Sequence, residues 1–211
     1  THPVFMRMDL YRHPPAERRP PLLRYRGDFF SLIGNMEKAE ELFRKCREET
    51  RKGDEARSHR SLTVESIRKE CEILEKRGNF TKAEKLLRKA LSDHGEHIQA
   101  KERARLYNDL AWVYYRFGRF DKSWENCLLV HKLLDRKQHP VELAQSYSLM
   151  GAINWNRSRY DEALLCHKRC LALREDSNDE LGVAASLNNL GLVYRSMGRF
   201  KDALDNFTKS M

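Results

Sequence analysis

Cys127 and His131 stand four residues apart, as do Cys166 and Cys170, with His167 beside the second pair. Thiolate and imidazole are the donors of tetrahedral zinc sites, and an i, i+4 pair brings two of them onto one helix face. The competing assignment is packed free thiols. Cys46, Cys71, Cys127, Cys166 and Cys170 are odd in number and all fall within helical patterns, which suits buried reduced cysteine better than a disulfide framework. That assignment is preferred, so no metal or cofactor is expected. Catalytic motifs are also missing from the sequence: it holds no phosphate-cradling glycine loop, no Gly-x-Ser-x-Gly elbow and no His-Glu-x-x-His. No enzyme is expected.

Charge and composition narrow the class further. The formal net charge is +9 and 34% of residues are charged, yet lysines and arginines are interleaved with acids. Glu37, Lys38, Glu40, Glu41, Arg44, Lys45, Arg47, Glu48 and Glu49 form the solvated face of a helix with i, i+4 pairs. Tyr115, Arg116 and Trp155 offer stacking groups for single-stranded RNA, but the arginines form no uninterrupted stripe, so nucleic acid is disfavoured as partner. No apolar run approaches the roughly 20 residues that span a bilayer, and no apolar signal core opens the chain. A soluble cytoplasmic protein is the expectation.

The elements are set by a recurring phrase: Gly34-Asn35-Met36, Gly78-Asn79-Phe80, Gly118-Arg119-Phe120, Ser158-Arg159-Tyr160 and Gly198-Arg199-Phe200. The last four copies recur every 40 residues and the first precedes the second by 44. Such a period marks stacked units, none of which buries its apolar face alone. Residues 1–21 read as an extended or disordered leader rich in proline and arginine, and 22–60 as a degenerate first unit with helices over 22–33 and 37–51. Four clearer helix pairs follow within 61–211: 61–77 with 80–93, 97–117 with 120–136, 140–157 with 160–176, and 180–197 with 200–211. Pro140 suits a first helical turn, and the glycines suit left-handed caps.

In the last pair, Leu187, Leu190, Gly191, Tyr194, Gly198, Phe200, Ala203 and Phe207 spell a pattern that resembles the tetratricopeptide repeat. Small Gly191 and Ala203 let two helices approach, and Tyr194 and Phe207 fill the space beside them. Earlier units carry variants: Tyr147, Met150, Gly151, Tyr160 and Ala163 with Asn154 and His167 as departures; Tyr107, Leu110, Ala111, Tyr114, Gly118 and Phe120 with Ser123 and Cys127. The next unit upstream keeps Ile67, Leu74, Gly78, Phe80, Ala83, Leu87 and Ala90, with Glu70 out of pattern, and Ala39 and Phe43 mark the first. The long period is similar to that of kinesin light chains, spindle-orientation adaptors and maltose-regulator-type activators. It also resembles arrays attached to bacterial signalling kinases and cyclases.

The resemblance implies an all-α fold, a right-handed α-solenoid of antiparallel helix hairpins whose first helices line a concave groove. It places Arg105, Asn108, Trp112, Tyr115 and Arg116, then Gln145, Ser148, Trp155 and Asn156, then Asn188, Leu192 and Arg195 toward a ligand. These amides, guanidinia and flat rings suit a protein or peptide with acidic and apolar side chains, held on a noncatalytic scaffold. Two alternatives stay open: Trp112 and Trp155 can pack between repeats, and Asn108 or Asn188 can bond neighbouring helices. Glu65, Arg68, Glu72, Glu75 and Lys76 give the earlier unit a charged, less adhesive face. The lysine and asparagine clamp of chaperone-binding repeats is not reproduced. The last helix reads as shorter than its predecessors, so the array is also expected to be part of a larger regulatory protein. Oligomeric state is left open.

Overall fold

The computed structural model describes residues 19–52 and 57–211. Ten helices and no strand occur among them: α1 (Arg19–Leu32), α2 (Met36–Lys52), α3 (Arg57–Lys76), α4 (Phe80–His94), α5 (Ala100–Arg116), α6 (Phe120–Leu133), α7 (Pro140–Asn156), α8 (Tyr160–Asp176), α9 (Glu180–Ser196) and α10 (Phe200–Lys209). Consecutive helices pack as hairpins α1/α2, α3/α4, α5/α6, α7/α8 and α9/α10. The chain divides into two compact units, one ending at Ile98 and one running from Gln99 to Met211. Most of the leader and the Gly53-Asp54 break lie outside the described residues. Arg19, Pro20 and Pro21, placed in the leader by sequence, open α1. A proline in the first turn forfeits no intrahelical bond, so the helix starts earlier than Leu22.

Each hairpin turns on one left-handed residue. Gly34, Gly78, Gly118 and Gly198 have φ between 68° and 81°, and Ser158 takes the same place at φ 58°. The turn is closed by paired backbone bonds, such as Gly118 N to Tyr115 O and Arg119 N to Tyr114 O, both 2.9 Å. These satisfy carbonyls that a helix end otherwise leaves open. Ser158 makes the same bonds to Trp155 O, and Arg159 to Asn154 O, at 2.9 Å.

Side-chain volume sets how closely the two helices of a hairpin approach. A Cβ added to Gly27 would lie 2.6 Å from the Phe43 ring, one on Gly151 2.5 Å from His167, and one on Gly191 2.5 Å from Phe207. Each glycine is therefore the floor on which a ring lies flat. At the same positions in the other hairpins, Cys71 and Ala111 carry a Cβ, and the facing residues shrink to Leu87 and Cys127. All four are buried. A larger residue on the floor is met by a smaller one than a ring above it, as close packing requires.

In the first unit, polar groups join one hairpin to the next. Glu70, which departs from the apolar pattern, is buried and meets Arg47 of α2 at 3.2 Å. Burial pushes its carboxyl above the usual range, and Arg47 opposes the shift. Thr63 Oγ1 donates to Thr50 Oγ1 at 2.7 Å, and Ser66 Oγ donates to Cys46 Sγ at 3.1 Å. The second unit is joined chiefly by apolar clusters, among them Ala104, Val130, Leu134, Leu143, Ala144, Cys170 and Leu173.

Candidate functional site

The first helices of the second unit, α5, α7 and α9, carry every residue that the resemblance assigned to a ligand. Repeat register aligns them in rows 40 residues apart. Trp112, Ala152 and Leu192 share one row, Tyr115, Trp155 and Arg195 a second, and Arg116, Asn156 and Ser196 the last before the helix C-termini. Two bonds tie that end together: Asn156 Nδ2 donates to Tyr115 Oη, and Trp155 Nε1 donates to Ser196 Oγ, each at 2.9 Å. Trp112 stacks on Tyr115 with centroids 5.6 Å apart and an interplanar angle of 22°. Arg116 lies 5.8 Å from the Trp112 ring centroid.

Trp155 is fixed by its nitrogen and Trp112 by its stack on Tyr115, and both rings keep open surface. Trp112 is 39% exposed and Trp155 37%. Arg116, Gln145, Asn156, Asn188 and Arg195 are exposed around them, and Tyr115, Ser148 and Leu192 are half-buried. Trp155 does bridge to the next hairpin through Ser196, so one of the alternatives left open by sequence is realised at its nitrogen.

Asn108 behaves differently. It is 7% exposed, and its Nδ2 donates to Glu142 O at 2.9 Å and to Gln145 Oε1 at 3.5 Å. Its amide holds α5 to α7. Arg105 is also engaged, with Nε donating to Glu142 Oε1 at 2.8 Å, and Lys101 Nζ lies 3.7 Å from the same oxygen. Glu142 and Lys101 were not singled out in the sequence. Glu142 reads there as an ordinary acid in the first turn after Pro140, and only the stacking of α7 on α5 brings it under Arg105.

The cysteine and histidine pairs are spent on packing. Cys127 is fully buried, with burial pushing its thiol up to about 12. Burial also raises Cys166 and Cys170, whose sulfurs face Asn154 and Ser186. His167 lies over Gly151, where burial drives its pKa down to about 4. His131 is lowered by burial too, and its Nε2 sits 3.2 Å from Ser146 Oγ. Among the described residues, no group of three His, Cys, Asp or Glu is arranged to hold a metal ion. No helix among them is long and apolar enough to cross a membrane.

With this geometry in hand, likeness to known proteins is informative. The sequence signature of the tetratricopeptide repeat matches residues 142–211. BtubC (BKLC) from P. vanneervenii superposes with a TM-score of 0.76 at 21% identity, over 97% of this chain and 83% of its own. The fold is a tetratricopeptide-repeat solenoid. A putative kinesin light chain from Podosopora anserina, built of nearly identical tetratricopeptide-like repeats, gives 0.69 at 15% identity over 94% of this chain and 95% of its own. A Rap protein complexed with competence and sporulation factor gives 0.79 at 13% identity, over 96% of this chain and 56% of its own. No curated protein matches the sequence. At these identities the likeness carries the fold alone.

Proposed function

We propose that the chain is a noncatalytic scaffold that binds a protein segment on the inner face of its second unit. The observation that carries this reading is the pair of indoles, Trp112 and Trp155, each more than one-third exposed on neighbouring first helices. The Trp155 nitrogen is already satisfied by Ser196. What it offers a partner is flat apolar surface, the usual anchor of a recognition patch. Arg116 lies beside the Trp112 ring, Arg195 shares the row of Trp155, and both favour carboxylates, while Asn188 and Gln145 supply amides that pair with an extended backbone. The bound segment is therefore a peptide that combines apolar and acidic side chains, read by a surface already in place.

The same surface suits RNA poorly. Its exposed arginines, Arg116 and Arg195, form no uninterrupted stripe, and away from it Arg47, Arg157, Arg174 and Arg199 are taken by Glu70, Asp121, Asp179 and Asp202. Selection from a random dodecapeptide library displayed on phage tests the reading. Binders rich in acidic and apolar residues are expected, with affinity lost by at least tenfold in the Trp112→Ala, Trp155→Ala double variant, whose folding is checked by its helicity and melting curve. Binders indifferent to both substitutions would place the partner elsewhere.

A further inference from the structure

The contact between α5 and α7 carries a charge arrangement that stability alone does not account for. Glu142 is 1% exposed, and its Oε1 receives both Arg105 and Lys101 while Oε2 has no hydrogen-bond partner among the described residues. A carboxylate buried in this way loses its hydration, and an apolar residue of similar volume commonly serves stability as well or better. The equivalent position in α9 is Gly182.

What the arrangement does achieve is to orient Arg105. Glu142 takes the guanidinium by Nε alone, and among the described residues nothing pairs with Nη1 or Nη2. The Arg105 side chain is 36% exposed. An arginine held at Nε presents its terminal fork as a planar, bidentate donor with much of its rotamer freedom already spent. Two cations against one anion leave the cluster with one net positive charge.

We propose that Lys101, Glu142 and Arg105 form a seat for a single carboxylate of the bound peptide, an inference that rests on the inner face being the peptide surface. The carboxylate pairs fork to fork with Nη1 and Nη2 of Arg105, and Lys101 adds charge. Glu142 is a positioning residue that never touches the ligand.

The test uses the whole chain and three small probes, followed by NMR at the Arg105 Nε–Hε resonance. N-acetylglutamate α-amide presents a side-chain carboxylate, N-acetylglutamine presents a chain-end carboxylate, and N-acetylglutamine amide presents neither. A saturable shift with either acid and none with the amide is expected, and the acid that acts identifies the carboxylate source. Arg105→Lys keeps the charge and removes the fork, so affinity should fall about tenfold, the scale of one well-oriented charge-assisted bond. Glu142→Leu raises the net charge, so its readout is the preference for the acid over chloride, which should drop about tenfold as the fork loses its orientation. No shift with either acid, or Arg105→Lys binding as well as the parent, would overturn the seat. An unchanged preference in Glu142→Leu would reduce Glu142 to a structural role and overturn its assignment. Any of these results leaves the two indoles untouched, so library binders that still depend on Trp112 and Trp155 would show the broader reading surviving the loss of this one.

Discussion

The two units build the same hairpin from different materials. In the first, charge is resolved internally: Arg47 meets buried Glu70, Glu40 receives both Arg77 and Lys82, and Arg68 and Lys69 pair with Glu65 and Glu72 along α3. In the second, the corresponding helices α5 and α7 leave Trp112 and Trp155 partly exposed to solvent. Shared register thus fixes where side chains stand, while their chemistry decides whether a face is satisfied from within or left open to solvent. The caps differ in the same manner. Asn35 and Asn79 accept from Lys38 N and Lys82 N, whereas Arg119, Arg159 and Arg199 start their helices with no side-chain cap.

The contrast can be broken most sharply at the buried ion pair. Arg47→Met leaves Glu70 without its cation and should cost about 3 to 5 kcal/mol in urea unfolding, with little effect on library peptides, because the two sites lie in separate units. A cost below about 1 kcal/mol would mean that Glu70 is solvated or protonated once Arg47 is gone, and that the pair does not carry the charge of this unit.

In the second unit the comparable weakness is acid. His167 is held near 4 while a free histidine titrates near 6.5, so the unfolded chain binds the proton first. Stability from this group is fully present above pH 6.5 and falls as pH drops toward 4, by roughly 3 kcal/mol. His167→Phe copies the ring on glycine used by Phe43 and Phe207 and should flatten that loss, measured by unfolding at pH 7 and pH 4.5. An unchanged acid slope would assign the loss to other groups.

Volume exchange between hairpins comes next in size. Gly191→Ala drives a Cβ into Phe207 and should cost about 1 to 3 kcal/mol. Combining it with Phe207→Leu, as the first unit does with Cys71 and Leu87, should recover part of the loss in a double-mutant cycle. Strict additivity would count against the volume rule. The smallest effects are at the caps: Asn79→Arg should lower, and Arg119→Asn should raise, the melting free energy by about 1 kcal/mol or less.

Much of this architecture is legible in the residues. Helix ends follow from left-handed glycines and from Pro140, because both act through local backbone geometry. The rows of side chains proposed to face a ligand follow from a fixed period. Contacts between hairpins were not legible, since Glu70 finds Arg47, and Glu142 finds Arg105, only through the stacking of one hairpin on another. For the same reason Asn108, which matches Asn188 in register, is drawn into the α5–α7 contact while Asn188 stays exposed. Ser158 shows the limit of a strict glycine rule, because the bonds that close the turn hold a serine in the same conformation.

The chain has three tryptophans, which makes fluorine NMR of the 5-fluorotryptophan protein the most direct test of the inner face. Trp112 and Trp155 lie on α5 and α7, whereas Trp124 packs against the cluster of Ala111, Cys127, Leu149, Met150, Ile153 and Cys166. On titration with a library-selected peptide, the Trp112 and Trp155 signals should move together and saturate while that of Trp124 holds still. A bound peptide that moves Trp124 alone, or none of the three, would contradict the account.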